Sequence, residues 1–134
     1  MQLATSVNNQ PWACTVHFAS DHDLNLYWTS KPDRRHSQEI AQNSNVSVTI
    51  PIEDNQKDGY VIGLSFAGKA EILKGKDEEL AHNLSVKKLN RPANRLAAIR
   101  NDEDPHQYYR LNPSLIVLFD SKNFPDDPRR ELTL

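Results

Sequence analysis

Hydroxyl and cationic side chains occur together where an aromatic strand gives way to a predicted helix. The hydroxyls are those of Thr29 and Ser30, and the cationic residues that follow are Lys31, Arg34, Arg35 and His36. Guanidinium groups bind phosphate through two parallel hydrogen bonds, and free N–H groups at a helix N-terminus favour an anion as well. The spacing alone leaves two interpretations open: a phosphate-binding site and a solvated basic start of a helix.

The sequence lacks the motifs of several other chemistries. The four glycines form neither G-x-G-x-x-G nor G-x-x-x-x-G-K-[ST], which excludes dinucleotide and P-loop sites of those kinds. The five histidines share no metal-ligand spacing and there is one cysteine, so we expect no metal site. Nothing near Cys14 in the sequence marks an activated thiol, and no acid/base machinery is recognisable.

The composition predicts one domain over residues 1–134, of which 121–134 are an edge strand or a flexible tail. The formal charge of −2 argues against nucleic acid as a partner, since such proteins usually carry a basic surplus. A single cysteine allows no intramolecular disulfide and fits a reducing compartment. We see no apolar run long enough to span a membrane and no secretory signal, so we expect a cytoplasmic protein without a membrane partner.

Alternation of apolar and polar residues predicts a mainly β protein. The predicted strands cover 1–6, 12–19, 24–30, 46–50, 60–73, 107–111 and 114–119, with 129–134 as the edge strand or tail. The predicted helices cover 34–42, 77–87 and a short segment, 94–100. Six or seven strands in meander order with two or three short helices favour a small antiparallel barrel over a parallel α/β sheet.

Local signals add detail to these elements. Asp33 is the predicted N-cap of the first helix, and the polar residues 53–58 predict a loop. Gly63 and Gly68 within one long strand indicate a bulge or a sharp bend. On the first helix we expect Ile40 and Ala41 to face inward and Glu39 to face solvent.

The aromatic residues near the cluster are divided between packing and ligand contact. For Trp12 and Tyr27 we expect core or edge packing. Trp28 directly precedes Thr29 and Ser30, so we consider it a candidate to border a planar ligand.

The order of these segments resembles the flavin-binding split barrels related to pyridoxamine 5′-phosphate oxidase, and in particular their YhbP-type branch. The residues that carry the resemblance are Gln10 to Val16, Tyr27 to Ser30, Arg35-His36, Ile40 to Asn43, Gly68 to Glu71 and Arg91-Pro92. The resemblance covers roughly residues 1–120. It implies a split-barrel fold, a homodimer with FMN between the protomers, and a flavin-dependent oxidoreductase of unknown substrate.

The resemblance also implies positions for the cofactor. Cys14, Thr15 and Val16 would run beside the flavin ring and its ribityl chain, and Trp28, Thr29 and Ser30 would follow. Arg35 and His36, next to Arg34 of the basic cluster, would hold the phosphate. Gly63 and Leu64 fall where the second protomer approaches the flavin.

The chain differs from the family's oxidase at functional positions. The oxidase has Arg in place of Cys14, Lys in place of Ala19 and Gln in place of Gly63, and the tail 129–134 does not match its substrate-recognition segment. We therefore expect no oxidation of pyridoxamine phosphate. Two alternatives stay open: a non-catalytic dimeric barrel that binds a ligand for sensing or storage or stays empty, and a haem-binding relative.

Overall fold

The computed structural model describes residues 1–52 and 59–134. The strands are β1 (Gln2–Val7), β2 (Gln10–Thr15), β3 (Ala19–Ser20), β4 (Leu26–Ser30), β5 (Asn45–Pro51), β6 (Ile62–Ile72), β7 (Gln107–Asp120) and β8 (Arg129–Thr133). The helices are α1 (Arg35–Gln42), α2 (Gly75–Leu89) and α3 (Arg95–Arg100). The loop predicted over 53–58 lies outside the described residues.

The described strands form one antiparallel sheet in the order β2-β1-β5-β6-β7-β4-β3, with β8 paired to β7. The mainly β, antiparallel architecture predicted from the alternation is confirmed. None of the helices in the described part of the chain has the length and apolar character that crossing a membrane requires.

Two predicted strand boundaries are wrong. The strand predicted over 12–19 is divided into β2 and β3, whereas 107–111 and 114–119 form the single strand β7. The strand β7 continues through Pro113 because its register with β6 shifts there. Gly68 pairs with Pro113 and Ala67 with Leu115, so Ser114 is the extra residue of a bulge in β7, next to a proline that has no N–H to pair. A Cβ at Gly68 would lie 2.1 Å from the backbone oxygen of Asn112, so only glycine fits there.

The buried side chains form two clusters on opposite faces of β4. Leu26 and Trp28 belong to the core inside the barrel, which also contains Leu3, Val48, Phe66, Tyr109 and Leu111. Tyr27 faces the other way, into a cluster with Leu73, Ala81, Ile99 and Tyr108 beneath α2 and α3. Successive strand residues point to opposite faces, so β4 is covered on both sides and its end lies next to both clusters.

The first helix differs from its prediction in its cap and its buried face. The N-cap is Arg34, without a side-chain hydrogen bond, rather than Asp33. Glu39 is buried and Ala41 exposed, the reverse of what we expected. Glu39 can be buried because its carboxylate accepts hydrogen bonds from Thr5 of β1 and from Arg35. These hydrogen bonds compensate for the cost of burying the charge.

Candidate functional site

A cavity of about 350 Å³ lies among the end of β4, the start of α1 and the α2–α3 region. Its volume is within the range of about 300–1,000 Å³ that is usual for small-molecule sites. Apolar and aromatic residues form part of its surface, among them Val16, Tyr27, Leu89 and Tyr108. Its polar residues come from two separate parts of the chain, which we call the β4–α1 wall (Thr29, Ser30, Arg34, His36) and the α2–α3 wall (Arg91, Arg95, His106).

The β4–α1 wall combines two hydroxyls with a guanidinium group. Ser30 is buried, and its Oγ lies 2.6 Å from Nε2 of His36. The guanidinium of Arg34 has only a loose ion pair, 3.8 Å from the Asp33 carboxylate, and both side chains are largely exposed. Exposed pairs of this kind contribute little, so Arg34 can still bind an anion in the cavity.

The α2–α3 wall lies at the same end of β4 through strand pairing and through helix packing. Ser30 pairs with Gln107 of β7, which places His106 beside the end of β4. Asp104 accepts a hydrogen bond from Nε of Arg95 at 3.0 Å and contacts Nδ1 of His106. Burial works against ionisation of Asp104, but the hydrogen bonds from His106 and the charge of Arg95 outweigh it and lower the pKa of Asp104. One carboxylate, Asp104, therefore contacts two members of this wall, Arg95 and His106.

Arg91 stands apart from that network. It follows α2 directly, and its guanidinium forms no ion pair with any residue in the described ranges 1–52 and 59–134. Together the two walls bring three arginines to a cavity in a chain whose formal charge is −2. The cavity thus has a local positive charge opposite in sign to that of the whole chain.

The structure brings most of the predicted site residues to this cavity. The lining includes Thr15, Val16, Trp28, Thr29, Ser30, Arg34 and His36. Cys14 does not line it, but its Sγ lies 3.4 Å from Nδ1 of His36. The ring of Trp28 stacks on Tyr109 in the barrel core, with centroids 5.4 Å apart.

Three predicted site residues lie elsewhere. The Arg35 side chain turns away from the cavity: its Nε donates to Glu39 at 2.7 Å, and its guanidinium carbon lies 4.4 Å from the centre of the Trp12 ring. Gly63 and Leu64 lie on β6, paired with Pro51 and Ile50 of β5. Neither borders the cavity within this one copy of the chain.

Sequence reasoning missed the α2–α3 wall. Arg91, Arg95 and His106 are far from Thr29 in the sequence. The β4–β7 pairing brings His106 near, and the packing of α2 and α3 against Tyr27 and Tyr108 brings Arg91 and Arg95. The sequence did mark the end of α2, since Asn90, which has a left-handed backbone (φ 51°), is followed by Pro92. That signal does not show that Arg91 would reach the cavity.

His36 and Cys14 are held in their neutral forms. Burial and the charge of Arg34 lower the pKa of His36, and Glu39 opposes them less strongly. Burial and the negative charge of Glu39 raise the pKa of the Cys14 thiol. The pair is therefore a thiol beside a neutral imidazole at neutral pH, which is unlike an activated nucleophile. Among the described residues, no three or more His, Cys, Asp or Glu side chains are grouped so that they could hold a metal ion together.

Solved structures share this fold. A haem-binding protein from Mycobacterium smegmatis superposes with a TM-score of 0.75 at 17% identity, covering 98% of this chain and 51% of that one. An FAD-binding protein from Mesorhizobium loti gives 0.67 at 19% identity, covering 86% and 78%. HutZ, the haem storage protein from Vibrio cholerae, gives 0.63 at 18% identity, covering 84% and 79%.

These similarities define the class as the small antiparallel split barrel, which confirms the predicted fold. The chain spans about half the length of the Mycobacterium smegmatis protein. At these identities the likeness shows the fold alone.

The family follows from the sequence itself. The family model described as pyridoxamine 5′-phosphate oxidase matches residues 1–119, and the chain belongs to that family. No curated protein matches the chain in sequence.

Proposed function

We propose that the chain is a flavoprotein that binds FMN, with the phosphate of FMN held by Thr29, Ser30 and Arg34. The observation that carries this proposal is the convergence of three arginines from two segments around the hydroxyls at the end of β4. Membership of a family that includes flavin proteins supports it, as does the similarity to the FAD-binding protein from Mesorhizobium loti.

The donors of the cavity suit a phosphate monoester. Such a group carries about −1.5 to −2 charge at neutral pH and has three strong acceptor oxygens. Arg34 and Arg91 lack a close carboxylate partner in the described part of the chain, so their N–H groups are available. Charge-assisted hydrogen bonds from guanidinium and hydroxyl groups would satisfy the phosphate oxygens.

We further propose that the protein acts as a flavin-dependent oxidoreductase. Bound FMN would supply the redox chemistry, while the chain binds and orients the reactants. His106 gives the cavity one group that can carry a proton, because Asp104 accepts from Nδ1 and so orients the ring. Measuring FMN reduction by a nicotinamide donor, with His106→Gln as the variant, tests this part.

The substrate is not expected to be pyridoxamine phosphate. Ala19 is 3% exposed on β3 and Cys14 contacts His36, so neither position provides the cation found in the family's oxidase. Without those cations an anionic substrate loses its orientation, which can supply about 7–11 kcal/mol of barrier reduction. We expect no release of pyridoxal phosphate or hydrogen peroxide from FMN-saturated protein, and turnover near about 10 per second would contradict this.

We also propose a homodimer, in which a second copy supplies Gly63 and Leu64 to the flavin. Large apolar side chains stay exposed near that part of β6, including Val61 at 60%, Phe119 at 39% and Leu132 at 49%. Exposed apolar surface of this kind is typical of protein interfaces. Sedimentation should show a dimer at micromolar concentration, and a monomer throughout would remove this part of the proposal. We expect the dimer to work in the cytoplasm, where its one thiol would stay reduced.

A haem is the second candidate ligand. His17 lines the cavity and forms no hydrogen bond within the described residues, so its ring nitrogens are available to a metal. Two of the similar structures are haem proteins by name. The arginines that suit a phosphate would also suit the carboxylates of haem.

Spectra of the purified protein separate these possibilities. Flavin absorbance bands and quenching of FMN fluorescence on titration are the expected result. A Soret band after addition of haem, without FMN uptake, would show that the ligand is haem and not FMN. A colourless protein that takes up neither would favour the non-catalytic barrel, with a different ligand or none.

A further inference from the structure

Three side chains form a chain of contacts from the edge of the sheet to the cavity. The Sγ atom of Cys14 lies 3.4 Å from Nδ1 of His36, and Nε2 of His36 lies 2.6 Å from Oγ of Ser30. Ser30 and His36 are 6% and 9% exposed and both line the cavity, whereas Cys14 lies behind them. Each element contributes one member: β2, α1 and β4.

A neutral imidazole carries one N–H, so its two nitrogens play opposite roles. If Cys14 S–H donates to Nδ1, the ring proton is on Nε2 and donates to Ser30 Oγ. The hydroxyl proton of Ser30 is then free to donate into the cavity. In the opposite arrangement Nδ1–H donates to sulfur, the Ser30 hydroxyl donates to Nε2, and Ser30 has no proton left for an anion.

We propose that Cys14 acts as a positioning residue, which holds His36 in the Nε2–H tautomer so that Ser30 presents its hydroxyl proton to an anionic group in the cavity. The inference rests on the proposed phosphate site, because an anion in the cavity would accept the hydrogen bond that the Ser30 hydroxyl donates. Arg34 and Glu39 are the charged groups that act on His36. The raised pKa of Cys14 and the lowered pKa of His36 both disfavour a thiolate–imidazolium pair, which would remove the donor.

The ligand-free protein tests the tautomer directly. Nitrogen-15 NMR of the His36 ring should show the proton on Nε2 in the wild type, a weaker preference in Cys14→Ala, and its recovery in Cys14→Ser, which keeps a donor. A proton on Nδ1 in the wild type, or no change in Cys14→Ala, would overturn the proposal. This measurement needs no FMN, so it stands even where the proposed function fails.

Binding tests the consequence. Loss of one neutral hydrogen bond predicts that Cys14→Ala weakens FMN binding about 3-fold to 10-fold, with Cys14→Ser close to wild type. In the Ser30→Ala background the same substitution should have no further effect, because its influence passes through that hydroxyl. Equal losses of FMN affinity in both backgrounds would show that Cys14 has only a packing role. That result would overturn the proposal that Cys14 acts through His36 and Ser30, while leaving the phosphate site intact. A wild type that takes up no FMN would instead contradict the proposed function.

Discussion

Two regions that flank the cavity each contain a pair of arginines, and they use carboxylates differently. At the start of α1, Glu39 binds Arg35 and draws it away from the cavity, while Arg34 keeps only a loose partner. On the α2–α3 wall, Asp104 binds Arg95, yet Arg95 still lines the cavity beside Arg91, which has no ion pair with the residues that the structure describes. An ion pair therefore does not by itself decide whether an arginine faces a ligand. Whether an arginine faces the cavity depends on where its carboxylate partner lies.

The largest expected effect distinguishes the two neighbours Arg34 and Arg35. The resemblance assigns the phosphate to Arg35, but its contacts with Glu39 and Trp12 shift the prediction to Arg34. Loss of a charge-assisted phosphate contact costs about 1.5–3 kcal/mol, so Arg34→Ala should weaken FMN binding at least about 10-fold. Fluorescence titration measures it.

Arg35→Ala is the matched control, since it removes the same charge one residue away. We expect less than about a 3-fold change in FMN affinity, together with a lower melting temperature because Glu39 loses a partner. If Arg35→Ala is the more damaging of the two for binding, the geometry of this wall has been misassigned.

The next effect separates the arginines of the α2–α3 wall. Arg91→Ala should weaken FMN binding with little change in stability, because this side chain has no ion pair among the described residues. Arg95→Ala should also lower stability by about 1–3 kcal/mol, since it removes a hydrogen-bond partner from a partly buried carboxylate, Asp104. Thermal unfolding measures the stability of the two variants, and FMN titration measures their affinity. Equal losses of stability in Arg91→Ala and Arg95→Ala would contradict the prediction that only Arg95 supports the fold.

The smallest effect concerns acid stability. The hydrogen bond from Thr5 and the one from Arg35 lower the pKa of Glu39 below its ordinary value of 4.5. A lowered folded-state pKa means that this contribution to stability is fully present above about pH 4.5 and is lost as the pH falls through the folded value. Glu39→Gln should therefore be less stable than wild type near neutral pH, with the difference shrinking on acidification.

Glu103→Gln provides the control for that pH series. Glu103 is exposed and forms no ion pair in the described part of the chain, so Glu103→Gln removes one carboxylate without removing an ion pair. A Glu39→Gln difference that stays constant from neutral to acidic pH would mean that ionised Glu39 gains nothing from its partners.

The same two walls show what the sequence could and could not predict. The β4–α1 wall was predictable because its hydroxyls and cations are nearly consecutive. The α2–α3 wall was not, since it depends on the register of Ser30 with Gln107 and on the packing of α2 and α3 against the sheet. The direction of the Arg35 side chain could have been predicted, because Arg35 and Glu39 are four residues apart on a helix and such pairs interact. The expectation that Glu39 faces solvent did not take this spacing into account.

The fold could be predicted from the sequence more completely than the candidate site. Alternating apolar residues located most strands, because one face of each meets a core. The break predicted at Asn112-Pro113 is wrong, since a bulge at Ser114 accommodates the proline without ending β7. Gly68 indicated an irregularity in β6, but its pairing with Pro113 of β7 depends on the partner strand and could not be predicted from either segment alone.

The measurement that most directly tests the central claim compares FMN with riboflavin, which shares the ring and ribityl chain but lacks the phosphate. Because the cavity is proposed to bind through cations and hydroxyls, the wild type should bind FMN at least about 10-fold more tightly than riboflavin, and Arg34→Ala should reduce that ratio. Equal affinity of the wild type for the two flavins would contradict a phosphate site between these walls.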